Sequence, residues 1–304
     1  QNWEKVDAKQ SISEEGMTLT GEVVLKDHMV DGSVRFIVQN GEGYTPPQYG
    51  QLPQIGTYSM NETPDNVETS NENDTPRDEY DFTFAVESDT QYYNEDYEGN
   101  QDQSNNGQYQ HQMNIHNWLL GNRQRMNLQY LFHDGDIIDD EPNLQEWQQA
   151  DAAYQKLDQS RFPYGVLAGN HDVGHLNGDY SNFGKFFGEE RYASNPWYGG
   201  SYQNNRGHYD LISVDGIDFI MIYMGWGIGD DEIQWMNDVL EQYPERKAIL
   251  NFHEYLLASG GLGEEPQRIH DEVVAKNENV CMVLSGHYHN AKTRIDTFTN
   301  ADGS

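Results

Sequence analysis

From Phe82 onward the chain alternates short apolar runs with helix-patterned segments, and this alternation limits the folds open to it. The runs are FTFAV, LQYLF, YGVLA, the pair HYDLISV and IDFIMIY, AILNF and VCMVL. Between them lie QYQHQMNIHNWLLGNRQRM, LQEWQQADAAYQKL, DDEIQWMNDVL and QRIHDEVVAKN, which are patterned as amphipathic helices. In the third of these, Ile233, Met236 and Leu240 share one helical face and belong to a core. Strands alternating with helices imply an α/β fold, in which ligands gather beyond the carboxyl ends of the strands. The strand exits are therefore where chemistry is expected.

Those exits read FAVESDTQ, LFHDGDIIDD, VLAGNHD, LNFHEY and VLSGHYH. Each delivers Asp, Asn or His where the backbone leaves the sheet, a mixture of carboxylate, amide oxygen and imidazole that suits divalent metals. A single Asp in such a place is an ordinary turn former, and a single His such as His253 is an ordinary packing residue. GHYH says more, because imidazoles at i and i+2 project in similar directions. Glycines before Asp136, Asn170 and His287 permit sharp turns that aim those side chains at a shared centre.

The five blocks together resemble the calcineurin-like metallophosphoesterase superfamily. The matching residues are Asp89-Thr90-Gln91, Gly135-Asp136-Ile137-Ile138-Asp139, Gly169-Asn170-His171-Asp172, His253 and Gly286-His287-Tyr288-His289. One departure stands out: Gln91 occupies a position where that family usually has His. The resemblance implies an α/β metallophosphoesterase-type sandwich of two mixed β-sheets flanked by helices. It also implies two divalent metal ions, drawn from Mn, Fe, Zn, Mg or Ca, with a hydroxide between them that attacks phosphorus. By the same resemblance Asp89, Asp136 and His289 would hold one ion, with Gln91 in its coordination shell or just outside it. Asp136, Asn170, His253 and His287 would hold the other. His171 would protonate the departing alcohol, and Asp139 would orient its ring.

Composition narrows the partners. The 304 residues carry a formal charge of -33, while 20 Tyr, 11 Phe and 6 Trp supply material for a core, so the charge belongs on the surface. Such a surface repels polyanions. A small phosphoester is the expected substrate, and no nucleic acid duplex is expected. No run approaches the ~20 apolar residues of a membrane span, and there is no signal segment. Cys281 has no partner for an internal disulfide and reads as a buried strand thiol. The opening on Gln1, with the acidic charge, suggests a processed or trimmed bacterial protein that is secreted or held at the cell surface.

Residues 1–78 differ in texture. MTLTGEVVLK and SVRFIVQ form a hairpin-like pair across KDHMVDG, followed by a polar, Pro- and Asn-rich stretch without period. This segment reads as a hairpin with an extended linker, or as the remnant of a preceding domain. Residues 79–304 read as the main domain, with its C-terminal end shortly after GHYH suggesting truncation and additional domains in a longer chain.

Two other functions fit parts of the pattern. A non-catalytic surface module could keep the fold and bind one structural ion, a reading favoured by Gln91 and opposed by His171 and Asp139. A hydrolase of carboxylic esters or amides would need a nucleophile element such as Gly-x-Ser-x-Gly, which the chain lacks. Arg206 and His175 are weighed as phosphate contacts against ordinary structural roles. The aromatic loop YASNPWYGGSYQNNRGHY is weighed as a cleft lining against self-packing.

Overall fold

The computed structural model describes residues 9–13, 16–20, 75–94, 109–288 and 290–298. Two sheets stack face to face with helices on both outer faces. The first has order β3 (Thr83–Glu87), β4 (Leu128–His133), β5 (Tyr164–Val166), and all its pairs are parallel. Parallel neighbours need crossovers, and α1 (Tyr109–Asn122) and α2 (Leu144–Gln159) fall between these strands in the chain. Two short helices, α3 (Ser181–Phe186) and α4 (Glu189–Tyr192), lead to the second sheet.

That sheet contains β6 (Tyr198–Tyr202), β7 (Gly207–Val214), β8 (Ile217–Met224), β9 (Lys247–Phe252) and β10 (Val280–Ser285), in the order β10-β9-β8-β7-β6. Its β8, β9 and β10 are mutually parallel, whereas β6, β7 and β8 pair antiparallel. Helices α5 (Asp230–Gln242) and α6 (Glu264–Glu272) provide its crossovers.

Side-chain alternation assigns each strand to two cores at once. On β4, Leu131 packs with Trp147, Tyr154 and Leu157 of α2, while Tyr130 and Phe132 point toward the second sheet. On β8, Ile220, Ile222 and Met224 face Met236 and Leu240 of α5, and Phe219, Met221 and Tyr223 face the first sheet. A strand covered on both sides is apolar at almost every position, which is why IDFIMIY reads as a continuous run. Phe84 of β3 closes the seam, edge-on to Phe132 at 5.7 Å and to Phe219 at 5.4 Å. Behind the first sheet, buried Arg191 bridges Asp151 and Asp158 at 2.6 Å each. Removing one partner of such a buried pair typically costs ~3–5 kcal/mol, because a charge is left without compensation.

The structure departs from the sequence reading in several places. The loop weighed as a cleft lining contains β6, an edge strand paired with β7, and its Asn205 is buried. Cys281 is exposed: β10 is an edge strand, and no strand among the described residues pairs with its outer edge. In the N-terminal segment, β1 (Lys9–Ser13) pairs antiparallel with β2 (Gly16–Thr20). SVRFIVQ, the expected hairpin partner, lies outside the described residues, as does the linker up to residue 74. Among the described residues no helix is long and apolar enough to cross a membrane.

Candidate metal centre

All five strand exits open at the same end of the sandwich, three from the first sheet and two from the second. Asp136 follows β4, Asn170 follows β5, His253 follows β9 and His287 follows β10. Ligating atoms of Asp136, His253 and His287 lie within 4.8 Å of one another. His253 Nε2 is the focus, at 3.1 Å from Asp136 Oδ2, 3.1 Å from Asn170 Oδ1 and 3.2 Å from His287 Nδ1. The other nitrogen, Nδ1, donates to the Asp134 carbonyl at 2.7 Å, which directs the Nε2 lone pair into the cluster.

Close approach depends on two glycines. A Cβ on Gly169 would stand 2.2 Å from Asp136 Oδ1. Gly135, at φ +93°, would place one 2.7 Å from His253 Nδ1. The ligand-bearing backbone is itself strained: Asp89, Asp136 and His287 occupy the left-handed region at φ 54°, 54° and 67°. Asp and His tolerate this region better than most residues, and backbone of this kind also clusters at functional sites.

The chemistry of this cluster fits a divalent cation. One hydrogen on His253 Nε2 cannot serve two oxygens and a second imidazole nitrogen, whereas a cation among them would satisfy all four donors. Charge preferences agree. Burial opposes protonation of His253, yet the hydrogen bond and charge of Asp136 outweigh it and raise the imidazole to about 9. His287 moves down, through burial and the charge of His253. The pocket thus stabilises one positive charge and disfavours a second proton.

Gln91 lies at the border of this cluster. It is 3% exposed, its Nε2 is 3.5 Å from Asp136 Oδ2, and its Oε1 is buried without a partner. An orphaned amide oxygen in this position suits an ion. The 3-10 turn that carries it (Gln91–Tyr93) is held by buried polar groups: Asn94 donates to Gln112 at 2.5 Å and to the Ile137 carbonyl at 2.9 Å, and Thr90 Oγ1 meets His133 Nε2 at 2.9 Å. Asp89 lies close enough for its charge to act on His253 and His287, and its carboxylate is engaged beside them. Its carboxylate accepts from the His287 amide at 3.1 Å and from Ser88 Oγ at 2.6 Å. His289 lies outside the described residues.

His171 stands beside the cluster with its ring 23% exposed. Its Nδ1 lies 3.0 Å from both the Asp139 carboxylate and the Asp139 carbonyl, and its Nε2 is 4.0 Å from Asp136 Oδ2. Arg206 is engaged elsewhere, by Glu232 at 3.2 Å and the Gly227 carbonyl at 2.8 Å.

Sequence reasoning overlooked two supports. Asp172 is fully buried and accepts from the amides of Ile137, Ile138 and Gly169 at 2.8–3.1 Å, binding the β4 and β5 exits to each other. Burial and the Asp136 charge push its carboxyl up against the pull of those amides. Trp226, at the exit of β8, sets its ring 5.9 Å from His253 and 5.4 Å from His287. The position of Asp172 inside GNHD was a signal for the first. Nothing local marked Trp226.

A sequence model of the calcineurin-like phosphoesterases matches residues 82–291. The uncharacterized protein YvnB of Bacillus subtilis is 51% identical over 215 residues, which is 71% of this chain and 16% of YvnB. The chain therefore spans about a sixth of that relative. Similar solved structures include a dimetal phosphatase from Danio rerio, with a TM-score of 0.49 and 16% identity over 69% of this chain and 82% of that one. Another is purple acid phosphatase PPD1 from yellow lupin, with a TM-score of 0.46 and 16% identity over 72% of this chain and 40% of that one.

Proposed function

The chain belongs to the calcineurin-like phosphoesterase family, a family of metal-dependent hydrolases, and from that premise we propose that it hydrolyses small phosphoric mono- or diesters at the strand-exit cluster. The observation that carries this reading is the convergence of Asp136 Oδ2, Asn170 Oδ1 and His287 Nδ1 on His253 Nε2.

In this reading Asp136, Asn170, His253 and His287 would hold one divalent cation. By the family resemblance, Asp89, Gln91, Asp136 and His289 would hold a second. When bound, the two ions supply a hydroxide as nucleophile and positive charge for the phosphoryl oxygens. The chain's own residues do the rest. Asp139 accepts the Nδ1 hydrogen of His171 and so aims Nε2 at the edge of the cluster. From there Nε2 delivers a proton to the departing alkoxide. Trp226 borders the side formed by His253 and His287 with an apolar ring.

The test is metal-reconstituted protein assayed on 4-nitrophenyl phosphate and bis(4-nitrophenyl) phosphate, with and without chelator. Metal-dependent turnover of either ester supports the reading, and the ratio assigns the ester class. Tight metal binding without turnover of either ester would favour the surface-module alternative, for which Gln91 is the motivating residue.

A further inference from the structure

His175 has no role in the reading above, yet it touches two residues that do. Its Nδ1 is 3.0 Å from Asn170 Nδ2, and its ring meets that of His171 edge-on with centroids 4.4 Å apart. Its amide donates to the Asn170 carbonyl at 2.6 Å. The backbone at His175 is left-handed, φ 57°, between Gly174 and Gly178, which are left-handed too. An exposed imidazole in strained backbone on the rim of a cluster calls for a cause.

An asparagine amide has two faces of opposite character, an acceptor oxygen and a donor nitrogen. Only the oxygen can ligate a cation, so a ligand asparagine must be kept from rotating about its last bond. Asn170 Oδ1 faces His253 Nε2 at 3.1 Å while Nδ2 faces His175. For Nδ2 to donate, His175 Nδ1 must present its lone pair, which places the ring hydrogen on Nε2. A rotated Asn170 would set its oxygen against that lone pair and its NH₂ against the cluster. The NH₂ would then face the cation, and His175 would have to move its ring hydrogen from Nε2 to Nδ1 to relieve the other contact.

We propose that His175 is a positioning residue: by accepting from Asn170 Nδ2 it locks the amide oxygen of Asn170 toward the cation held with His253 and His287. The inference rests on the metal-site reading above and adds to it the group that orients one of its ligands. Groups of this kind usually change metal affinity by about 10–100-fold when lost.

Two variants separate the acceptor from the backbone. His175→Gly suits φ 57° and removes the acceptor, and His175→Asn tolerates the same backbone while keeping an acceptor oxygen near the Nδ1 position. Mn²⁺ is titrated into apo-protein of the wild type and both variants by calorimetry, with circular dichroism to confirm folding. The expected result is a ~10-fold or greater loss of affinity at one of two sites in His175→Gly, with His175→Asn within about threefold of wild type. Unchanged affinity in His175→Gly overturns the proposal. Equal losses in both variants also overturn it, because the ring and not its acceptor would then matter. A wild-type chain that takes up no Mn²⁺ would instead remove the metal-site reading itself.

Discussion

His253 Nε2 and His287 Nδ1 stand 3.2 Å apart at the ends of the adjacent parallel strands β9 and β10. Asp136 reaches the same point from the other sheet, at 3.1 Å from His253 Nε2. A carboxylate placed this way is the hinge of the charge balance. Asp136→Asn should keep the fold but lower turnover and metal affinity by more than the ~10–100-fold typical of groups outside the coordination shell. Elemental analysis and turnover of the purified variant check this. Normal stoichiometry with normal turnover would remove the binuclear reading.

His171→Ala should retain its metal and slow turnover by about 10²–10⁴-fold, the range for a lost general acid. The deficit should shrink when the leaving group is 4-nitrophenol and grow with an alkyl alcohol, which needs the proton more. Equal deficits for both leaving groups would show that the ring next to Asp139 does not donate it.

Gln91 offers a neutral amide oxygen where an imidazole would be a stronger and softer donor. Gln91→His should tighten the ion on the Asp89 side and shift its preference from Mn²⁺ or Mg²⁺ toward Zn²⁺. Competitive titration of apo-protein of both forms reads this out, and identical selectivity would place Gln91 outside the coordination shell.

Asp210 gives a prediction about stability. It is buried between the sheets, accepts from Tyr130 Oη at 2.5 Å, and has Oδ1 without a partner. Burial raises its carboxyl to about 8, against the pull of the Tyr130 hydrogen bond. The folded value lies above the unfolded one, so the native state holds a proton that the unfolded chain releases. Its stabilising contribution is complete below the unfolded value near 4 and is lost as pH rises toward 8. Asp210→Asn should therefore flatten the decline in Tm over that window and exceed wild type at pH 8 by ~2 °C or more, since 1 kcal/mol shifts Tm by about 2–4 °C in a domain of this size. A variant whose Tm falls in parallel with wild type would show that Asp210 is ionised in the fold.

The strands of the main body were legible because each is covered on one or both faces and so carries an apolar run, as β8 and β9 do. β6 was not, since YGGSY is an edge strand with two glycines and little apolar surface to bury. The exposure of Cys281 was hidden for the related reason that an apolar run does not reveal whether its strand is central or at an edge. At the site, Asp136, Asn170, His253 and His287 were readable from motif spacing, and the structure brings them together. The orientation of Asp89 toward the His287 amide was not, because it depends on a contact between residues 198 positions apart. Asp172 was visible as a motif letter, but its three amide partners exist only once the β4 and β5 exits have been folded side by side.

The cluster draws on both sheets, and this bears on how the molecule holds together. Asp136 and Asn170 leave the three-stranded sheet, whereas His253 and His287 leave the five-stranded one. An ion held among them would be a further cross-link between two layers that meet through side-chain packing, as at Phe84, Phe132 and Phe219, and through a few hydrogen bonds such as that from His253 Nδ1 to the Asp134 carbonyl. Ligands far apart in the chain close long loops, and a link of that kind restricts the unfolded ensemble most. Chelation should then act like cutting a rivet: the seam opens first at the strand exits, and amide hydrogens there exchange faster while those beneath the phenylalanines stay protected.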